Sequence, residues 1–324
     1  MSTNDRFEKL FNNELSGEEA EAFLIELYNK PEDENDIAIC ANIMRSHSIK
    51  LPMPVELQDK IIDIVGTGGD KSGSYNISSA SSLVLASLGC FVAKHGNRGV
   101  TSKAGSADVL ETLGINLNLT PASQIKMLQE VGFCFSFAQN HHPSMKHIMP
   151  IRKSIPHRTI FNLLGPLTSP AGAKKYLLGL FSKDYIEKVA LALVELDIIS
   201  AYVVSSEDGM DEISLSANTH FAYVGDKNIS YGEINPELYG FKKVPSHLVA
   251  GGDAETNANI IRDIFNKKEM GAKRDILVLN ASFALFTEGS ARDLQEAICI
   301  VESTIDSGKA SRHLEKIISL SQKL

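Results

Sequence analysis

Between residues 61 and 205, short apolar runs alternate with helical patterns and glycine-rich turns, and few folds accommodate that rhythm. Ile61-Ile-Asp-Ile-Val reads as a strand, Gly66-Thr-Gly-Gly-Asp as a tight turn and Ser78 to Leu88 as a helix of small residues. Cys90-Phe-Val-Ala is a second strand, and helices are expected from Ser106 and from Pro121. Strand Phe133 to Ala138, strand Tyr176 to Leu180, helix Asp184 to Leu196 and strand Ala201 to Ser205 continue the series. Strands separated by helices of this length pair in parallel, because the chain must travel back to the starting edge between them. The expected class is therefore α/β, with a mainly parallel central sheet covered by helices.

The two flanks of this core read as helical. Residues 1 to about 60 carry apolar positions at helical spacing, with Ser16 as an N-cap, and Lys50-Leu-Pro-Met-Pro stops the region. His142-Pro-Ser-Met-Lys-His and Thr159-Ile-Phe-Asn look like two short helices with no strand between them. They are expected to return to the N-terminal helices. That gives a small discontinuous helical domain (1–60 and 141–170) beside a larger α/β domain (61–140 and 171–324). From Ala254 onward the chain is mostly helical.

Charge is unevenly spread along the chain. The 324 residues carry a formal charge of −8, which argues against a dedicated nucleic-acid binder. The first 40 residues, however, hold 11 acids and 3 bases, while the other 284 balance. Two stretches lack Asp and Glu altogether, Lys71 to Ala107 and Val131 to Lys183. If both line one cleft, its potential is positive and suits a small polyanion. No apolar run approaches 18 residues and no signal peptide precedes the helices, so a cytoplasmic protein without membrane contact is expected. Four scattered cysteines (Cys40, Cys90, Cys134, Cys299) have no metal-ligand spacing and read as buried, reduced thiols.

Three motifs carry chemistry. The Gly66-Thr-Gly-Gly-Asp turn leads into Ser74, Asn76, Ser78 and Ser79, so loop and helix N–H groups can hold phosphate oxygens. It is neither a Walker A loop nor Gly-x-Gly-x-x-Gly. Lys94-His-Gly-Asn-Arg-Gly-Val-Thr-Ser-Lys follows the second strand, on the same sheet edge, with cations and hydroxyls suited to a diphosphate or phosphosugar. Asp211 and Glu212 come just after another strand, and adjacent carboxylates beside a phosphate cradle suit Mg²⁺. His141, His142 and His147 lack a diagnostic ligand spacing.

These motifs together resemble the anthranilate phosphoribosyltransferase family. The resemblance rests on Asp63-Ile-Val-Gly-Thr-Gly-Gly-Asp, Tyr75-Asn-Ile-Ser-Ser, Lys94-His-Gly-Asn-Arg, Gly105-Ser-Ala-Asp-Val-Leu-Glu and Gly209-Met-Asp-Glu-Ile. His142-Pro-Ser-Met-Lys-His, Arg152 and Arg158-Thr-Ile-Phe-Asn-Leu-Leu-Gly-Pro-Leu extend it over nearly the whole chain. It implies a fold like the nucleoside phosphorylases and their phosphoribosyltransferase relatives, and a homodimer formed through the helical domain. The implied reaction joins anthranilate to 5-phosphoribosyl 1-diphosphate, with Mg²⁺, in tryptophan biosynthesis. By the same resemblance, the donor is held by Gly66, Gly69, Asp70, Ser74, Asn76, Ile77, Ser78, Ser79, Lys94, His95, Gly96, Asn97, Arg98, Gly99, Val100, Thr101, Ser102 and Ser106. Anthranilate meets Gly66, His95, Asn97, His142, Arg152 and Pro166. The metal falls to Ser78, Asp211 and Glu212, and the groups expected at the reacting atoms are Lys94, Asn97 and Arg152.

Lys71 stands where the family has glycine, and it either reaches the diphosphate or stays solvated. Ser74 and Ser79 replace common threonines, and Pro156-His157 is an unusual pair. Two competing readings are a pyrimidine nucleoside phosphorylase-like enzyme and a non-catalytic relative that binds nucleic acid with the basic cleft. The Gly-Thr-Gly-Gly-Asp loop and the Asp211-Glu212 pair favour a diphosphate donor with metal over both.

Overall fold

Seven strands form a sheet in a computed structural model that describes residues 2–30, 32–70, 72–99 and 103–324. They are β1 (Ile61–Gly66), β2 (Phe91–Gly96), β3 (Phe133–Phe137), β4 (Lys175–Gly179), β5 (Ser200–Ser206), β6 (Thr219–Gly225) and β7 (Asn228–Ile234). Their order is β3-β2-β1-β4-β5-β6-β7; the first five pair in parallel, and β6 pairs antiparallel with both β5 and β7. The sheet thus winds outward in both directions from the β1–β4 pair. At such a switch point the connections leave to opposite sides and open a crevice beyond the carboxyl ends of the strands. Gly66 and Gly179 face each other there as the last pair in the β1–β4 register.

Helices cover the sheet because the central strands are apolar on both faces; every residue of β5 is buried. Helix Ile77–Leu88 lies between β1, β2 and helix Ala272–Glu288, and ten of its residues are buried. Serine and alanine permit this close approach, and Gly89 ends the helix in the left-handed region at φ 100°. On the flank, helix Gly17–Asn29 begins with a reciprocal Ser16–Glu19 capping box.

The middle acid-free stretch forms helices Met145–Ser154 and Phe161–Leu167, and both reach the N-terminal helices. The His147 imidazole Nε2 lies 2.9 Å from the Leu10 carbonyl, and the Ser154 hydroxyl donates to Glu21 at 3.1 Å. Arg45 Nε donates to the Leu167 carbonyl at 2.7 Å, and Phe11 packs on Phe161 with ring centroids 6.0 Å apart. Helix Ile186–Glu195 packs on helix Glu34–Ser46, so the N-terminal helices also rest on the sheet's own covering layer.

Three local readings change. The β6–β7 hairpin was not anticipated: its turn residues are Asp226 and Lys227, both left-handed at φ 49° and 63°, and Lys in place of glycine hides the usual hairpin signal. The second strand runs on through Gly96, so Lys94 and His95 belong to β2 rather than to the loop after it. Cys40, Cys90 and Cys134 are buried free thiols, but Cys299 is exposed on helix Leu294–Asp306, which turns that position outward.

Candidate active site

The loop leaving β1 is shaped around a carboxylate. A Cβ on Gly66 would fall 2.3 Å from Asp211 Oδ2, and one on Gly179 would fall 1.6 Å from the Asp211 carbonyl oxygen. Only hydrogen at both positions lets the 209–212 segment lie across the strand ends. Gly68 and Gly69 are left-handed, at φ 67° and 70°, which turns the loop back over the sheet edge. The Gly68 N–H donates to Asp211 Oδ2 at 2.6 Å, and Arg158 Nη2 donates to the Gly69 carbonyl at 2.7 Å.

Helix Ile77–Leu88 points its N-terminus at the same place. Its first turn carries no acid, and the Asn76 side chain does not cap it. Asn76 instead accepts from Asn257 Nδ2 at 2.8 Å and donates to the Ala104 carbonyl at 3.4 Å. The Ser78 N–H donates to Glu212 Oε1 at 3.2 Å. The Ser78 hydroxyl accepts from Lys94 Nζ at 3.2 Å, and the same ammonium donates to the Ile64 carbonyl at 2.6 Å. Lys94 is 2% exposed, and burial pushes its pKa down while Asp63, Glu212 and Asp211 oppose that shift. Burial likewise pushes Asp211 and Glu212 up, helped by Asp70 beside the first and Asp211 beside the second. Asp70 Oδ2 is buried with no hydrogen-bond partner among the described residues. Carboxylates crowded together in this way want a cation.

The other donor-side positions divide. Ser74 accepts from the Ser72 hydroxyl at 3.2 Å near the loop. The Ile77 and Ser79 side chains are fully buried, and the Ser79 hydroxyl has no hydrogen-bond partner among the described residues. Gly96 ends β2 with the Ser106 hydroxyl directly against it, and that hydroxyl donates to the Asn97 carbonyl at 3.3 Å. Asn97 Oδ1 accepts from the Arg98 N–H at 2.8 Å and from Gln139 Nε2 at 3.4 Å. Arg98 is not a free cation: Asp108 and Glu111 both pair with it, and the Gly99 N–H donates to Asp108 at 2.9 Å. Those two acids lie just past the end of the acid-free stretch, and the helix from Ser106 folds them back. Lys71, Val100, Thr101 and Ser102 lie outside the described residues.

Across the cleft, the helical segment supplies a second set of groups. Arg152 on helix Met145–Ser154 meets the Met149 sulfur at 3.5 Å and the Phe161 ring at 5.2 Å, and no carboxylate among the described residues pairs with it. Burial alone lowers its pKa to about 10. His95 and His142 are buried with ring centroids 5.1 Å apart. His95 Nδ1 lies 3.0 Å from the Gly165 carbonyl, beside buried Pro166. An unpaired guanidinium among apolar rings suits an aromatic carboxylate.

A model of the glycosyl transferase family α/β domain matches residues 58–311. The anthranilate phosphoribosyltransferase of Rubrobacter xylanophilus is 41% identical over 95% of this chain and 89% of that protein. The chain belongs to the anthranilate phosphoribosyltransferase family. The crystal structure of the family's Thermus thermophilus member is 35% identical, with a TM-score of 0.92 over 99% of this chain and 94% of that one. The Saccharomyces cerevisiae member, determined in complex with PRPP and Mg, is 25% identical with a TM-score of 0.88 over 100% and 94%. No helix among the described residues is long and apolar enough to cross a membrane.

Several residues of this family member's site were missed from sequence. Asp63 is fully buried on β1, accepts from the His95 N–H at 3.1 Å, and is pushed up to about 7, chiefly by burial against the pull of Lys94. An acid inside Ile-Ile-Asp-Ile-Val was the available signal. Gly179 ends an apolar strand, which is a weaker one. Arg158 and Asp108 stand within the motifs that carry the family resemblance, but their contacts, like those of Asn257, left no signal, because the partners are 89, 10 and 181 positions away in the chain.

Two outcomes follow from this geometry. Gly179→Ala should displace the Asp211 segment while leaving far-ultraviolet circular dichroism unchanged, and should weaken donor binding by roughly tenfold or more, since a Cβ in place of hydrogen cannot be packed there without backbone movement. Calorimetric titration of the variant with the phosphoribosyl donor measures this. Burial lowers the His142 pKa from 6.5 to about 4, so the folded state holds its imidazole neutral. The unfolded chain therefore binds more protons through that window, and stability present above pH 6.5 falls as the pH drops toward 4. In His142→Gln the urea midpoint should decline less steeply over this range.

Proposed function

We propose that the chain transfers the 5-phosphoribosyl group of 5-phosphoribosyl 1-diphosphate to the amine of anthranilate and releases diphosphate. This is the reaction of its family in tryptophan biosynthesis. The observation that carries the proposal is one juxtaposition. A helix N-terminus with buried Lys94 and two carboxylates lies beside a helical segment that touches the glycine loop through Arg158 and β2 through His142, and that segment carries Arg152, which has no carboxylate partner among the described residues.

The N–H groups of the Gly66–Asp70 loop and of the Asn76–Ser79 turn would hold phosphate oxygens, with Ser74, Asn97, Gly99 and Ser106 completing the donor side. Arg98 would act here by stiffening the second loop through Asp108 and Glu111 rather than by meeting the donor. The donor set Ser78, Asp211 and Glu212, with Asp70 alongside, consists of hard oxygens crowded enough to disfavour full ionisation without a cation, which fits Mg²⁺. When bound there, Mg²⁺ would offset the charge of the diphosphate. Lys94 would hold Ser78 in place and add a fixed positive charge below it.

The chemistry is displacement at the anomeric carbon of the ribose. Diphosphate leaves as its charge is neutralised, the ribose gains oxocarbenium character, and the aromatic amine attacks as the neutral base. Rate then depends on positioning and electrostatics more than on a general base. Arg152 would bind the anthranilate carboxylate with its planar fork, and His95, His142, Asn97 and Pro166 would enclose the ring. We further propose that 1–60 with 141–170, and 61–140 with 171–324, act as two domains whose closure brings the substrates together. The same reading makes the protein a cytoplasmic homodimer that pairs through its helical domain.

Incubating the protein with Mg²⁺, the donor and anthranilate should abolish anthranilate fluorescence; no loss at high enzyme concentration would refute the assignment. Arg152→Ala should raise the anthranilate KM roughly 10- to 100-fold, the loss of a charge-assisted pair of about 1.5–3 kcal/mol, with the donor KM nearly unchanged. Asp211→Asn with Glu212→Gln should do the reverse and abolish the dependence on Mg²⁺, which steady-state kinetics with each substrate and the metal varied would resolve.

A further inference from the structure

The Gly66–Asp70 loop is held by contacts of two origins. From the sheet, the Thr67 N–H donates to the Gly179 carbonyl at 2.9 Å, and the Phe181 N–H donates to Thr67 Oγ1 at 3.0 Å. Asp211 holds the Gly68 N–H. The remaining contact comes from the helical segment: Arg158 Nη2 donates to the Gly69 carbonyl at 2.7 Å. Arg158 sits in the link between helices Met145–Ser154 and Phe161–Leu167, six residues after Arg152.

Arg158 is itself fixed on two sides. Its guanidinium carbon lies 3.5 Å from the centroid of the Phe181 ring, the residue whose N–H grips Thr67. Its neighbour His157 stacks on Tyr28 of helix Gly17–Asn29, with centroids 3.7 Å apart and planes 20° from parallel. The unusual Pro156-His157 pair thereby anchors the link to the N-terminal helices. A line of contacts runs from Tyr28 through His157 and Arg158 to Gly69.

The consequence lies in the Gly69–Asp70 peptide. A trans peptide is planar and its C=O and N–H point in opposite directions. Drawing the Gly69 oxygen to Arg158 therefore aims the Asp70 N–H the other way, and that N–H has no acceptor among the described residues. Gly69, left-handed at φ 70°, has neighbouring conformations open to it that would swing the same peptide round. A guanidinium stacked on an aromatic ring and donating to one carbonyl removes that freedom.

We propose that Arg158 is a positioning residue for the phosphoribosyl donor: by holding the Gly69 carbonyl it presents the Asp70 N–H to a diphosphate oxygen. This rests on the donor assignment made above. It ties the loop that receives the donor to the segment that receives the acceptor.

The test is calorimetric titration of the full chain with 5-phosphoribosyl 1-diphosphate and Mg²⁺, which needs no turnover. Arg158→Ala should weaken donor binding about tenfold, the loss of one oriented N–H donor to an anion. Millimolar guanidinium should restore most of that loss in Arg158→Ala and leave the wild type unchanged, a rescue that a general loss of packing would not show. Arg158→Lys, which keeps the charge without the planar fork, should recover only part of it. Phe181→Leu keeps the arginine and removes its platform; it should weaken the donor severalfold, and it serves in place of Arg158→Ala if that variant does not fold. In steady state, the anthranilate KM of these variants should move less than about threefold. Unchanged donor affinity in Arg158→Ala or Phe181→Leu, or a loss that guanidinium does not reverse, overturns the proposal. If the wild type itself binds no donor, the functional reading fails, and this proposal falls with it by a distinguishable result.

Discussion

Everything at the active site depends on two missing side chains. Gly66 and Gly179 end the two strands from which the sheet winds in opposite directions, and they face each other across the β1–β4 register. With hydrogen at both positions, the backbone of Asp211 rests on the strand ends, and its carboxylate takes the Gly68 N–H. Any larger residue would push the 209–212 segment off the sheet, and Glu212 with it. The topology creates the crevice, and the glycine pair brings acidic groups into it.

The electrostatics of the cleft come from burial as much as from charge count. Lys94 is an ammonium almost without solvent, held by a strand carbonyl and a serine hydroxyl and flanked by Asp63, Asp211 and Glu212. Removing a charge from water is costly, so such a group persists where oriented dipoles and opposite charges replace the lost hydration. The carboxylates face the same cost in the opposite sense, which leaves this corner of the cleft short of one cation. Arg152 is a guanidinium without an anionic partner among the described residues. The cleft is thus incomplete at both ends: the first deficit fits the Mg²⁺ proposed above, and the second fits a carboxylate such as that of anthranilate.

Much of this was legible in the chain. The strand and helix alternation gave the parallel part of the sheet to within a residue or two at most ends, because periodicity is local. The Gly-Thr-Gly-Gly-Asp turn, Asp211 and Glu212 were legible because each follows an apolar strand, and Lys94 because it stands at the end of an apolar run, within β2. What was not legible has local causes as well. An Asp226-Lys227 turn conceals a hairpin, and Arg98 looked free because its partners Asp108 and Glu111 stand outside the stretch that drew attention to it. Ser79 reads as one more hydroxyl in a serine-rich helix start; its side chain is fully buried, and its hydroxyl has no hydrogen-bond partner among the described residues.

The sequence by itself determined that strands would lie parallel, that phosphate-binding groups would collect on one sheet edge, and to which family the motifs belong. These follow from short-range patterns and from residue types that have few other uses. Only the tertiary structure decided which of those groups are available. It buried Lys94, occupied Arg98, left Arg152 without a carboxylate among the described residues, and set Arg158 on a glycine carbonyl 89 residues away in the chain. A side chain's identity is fixed by the chain, but its partner, and therefore its charge state and direction, is fixed by what the fold brings beside it.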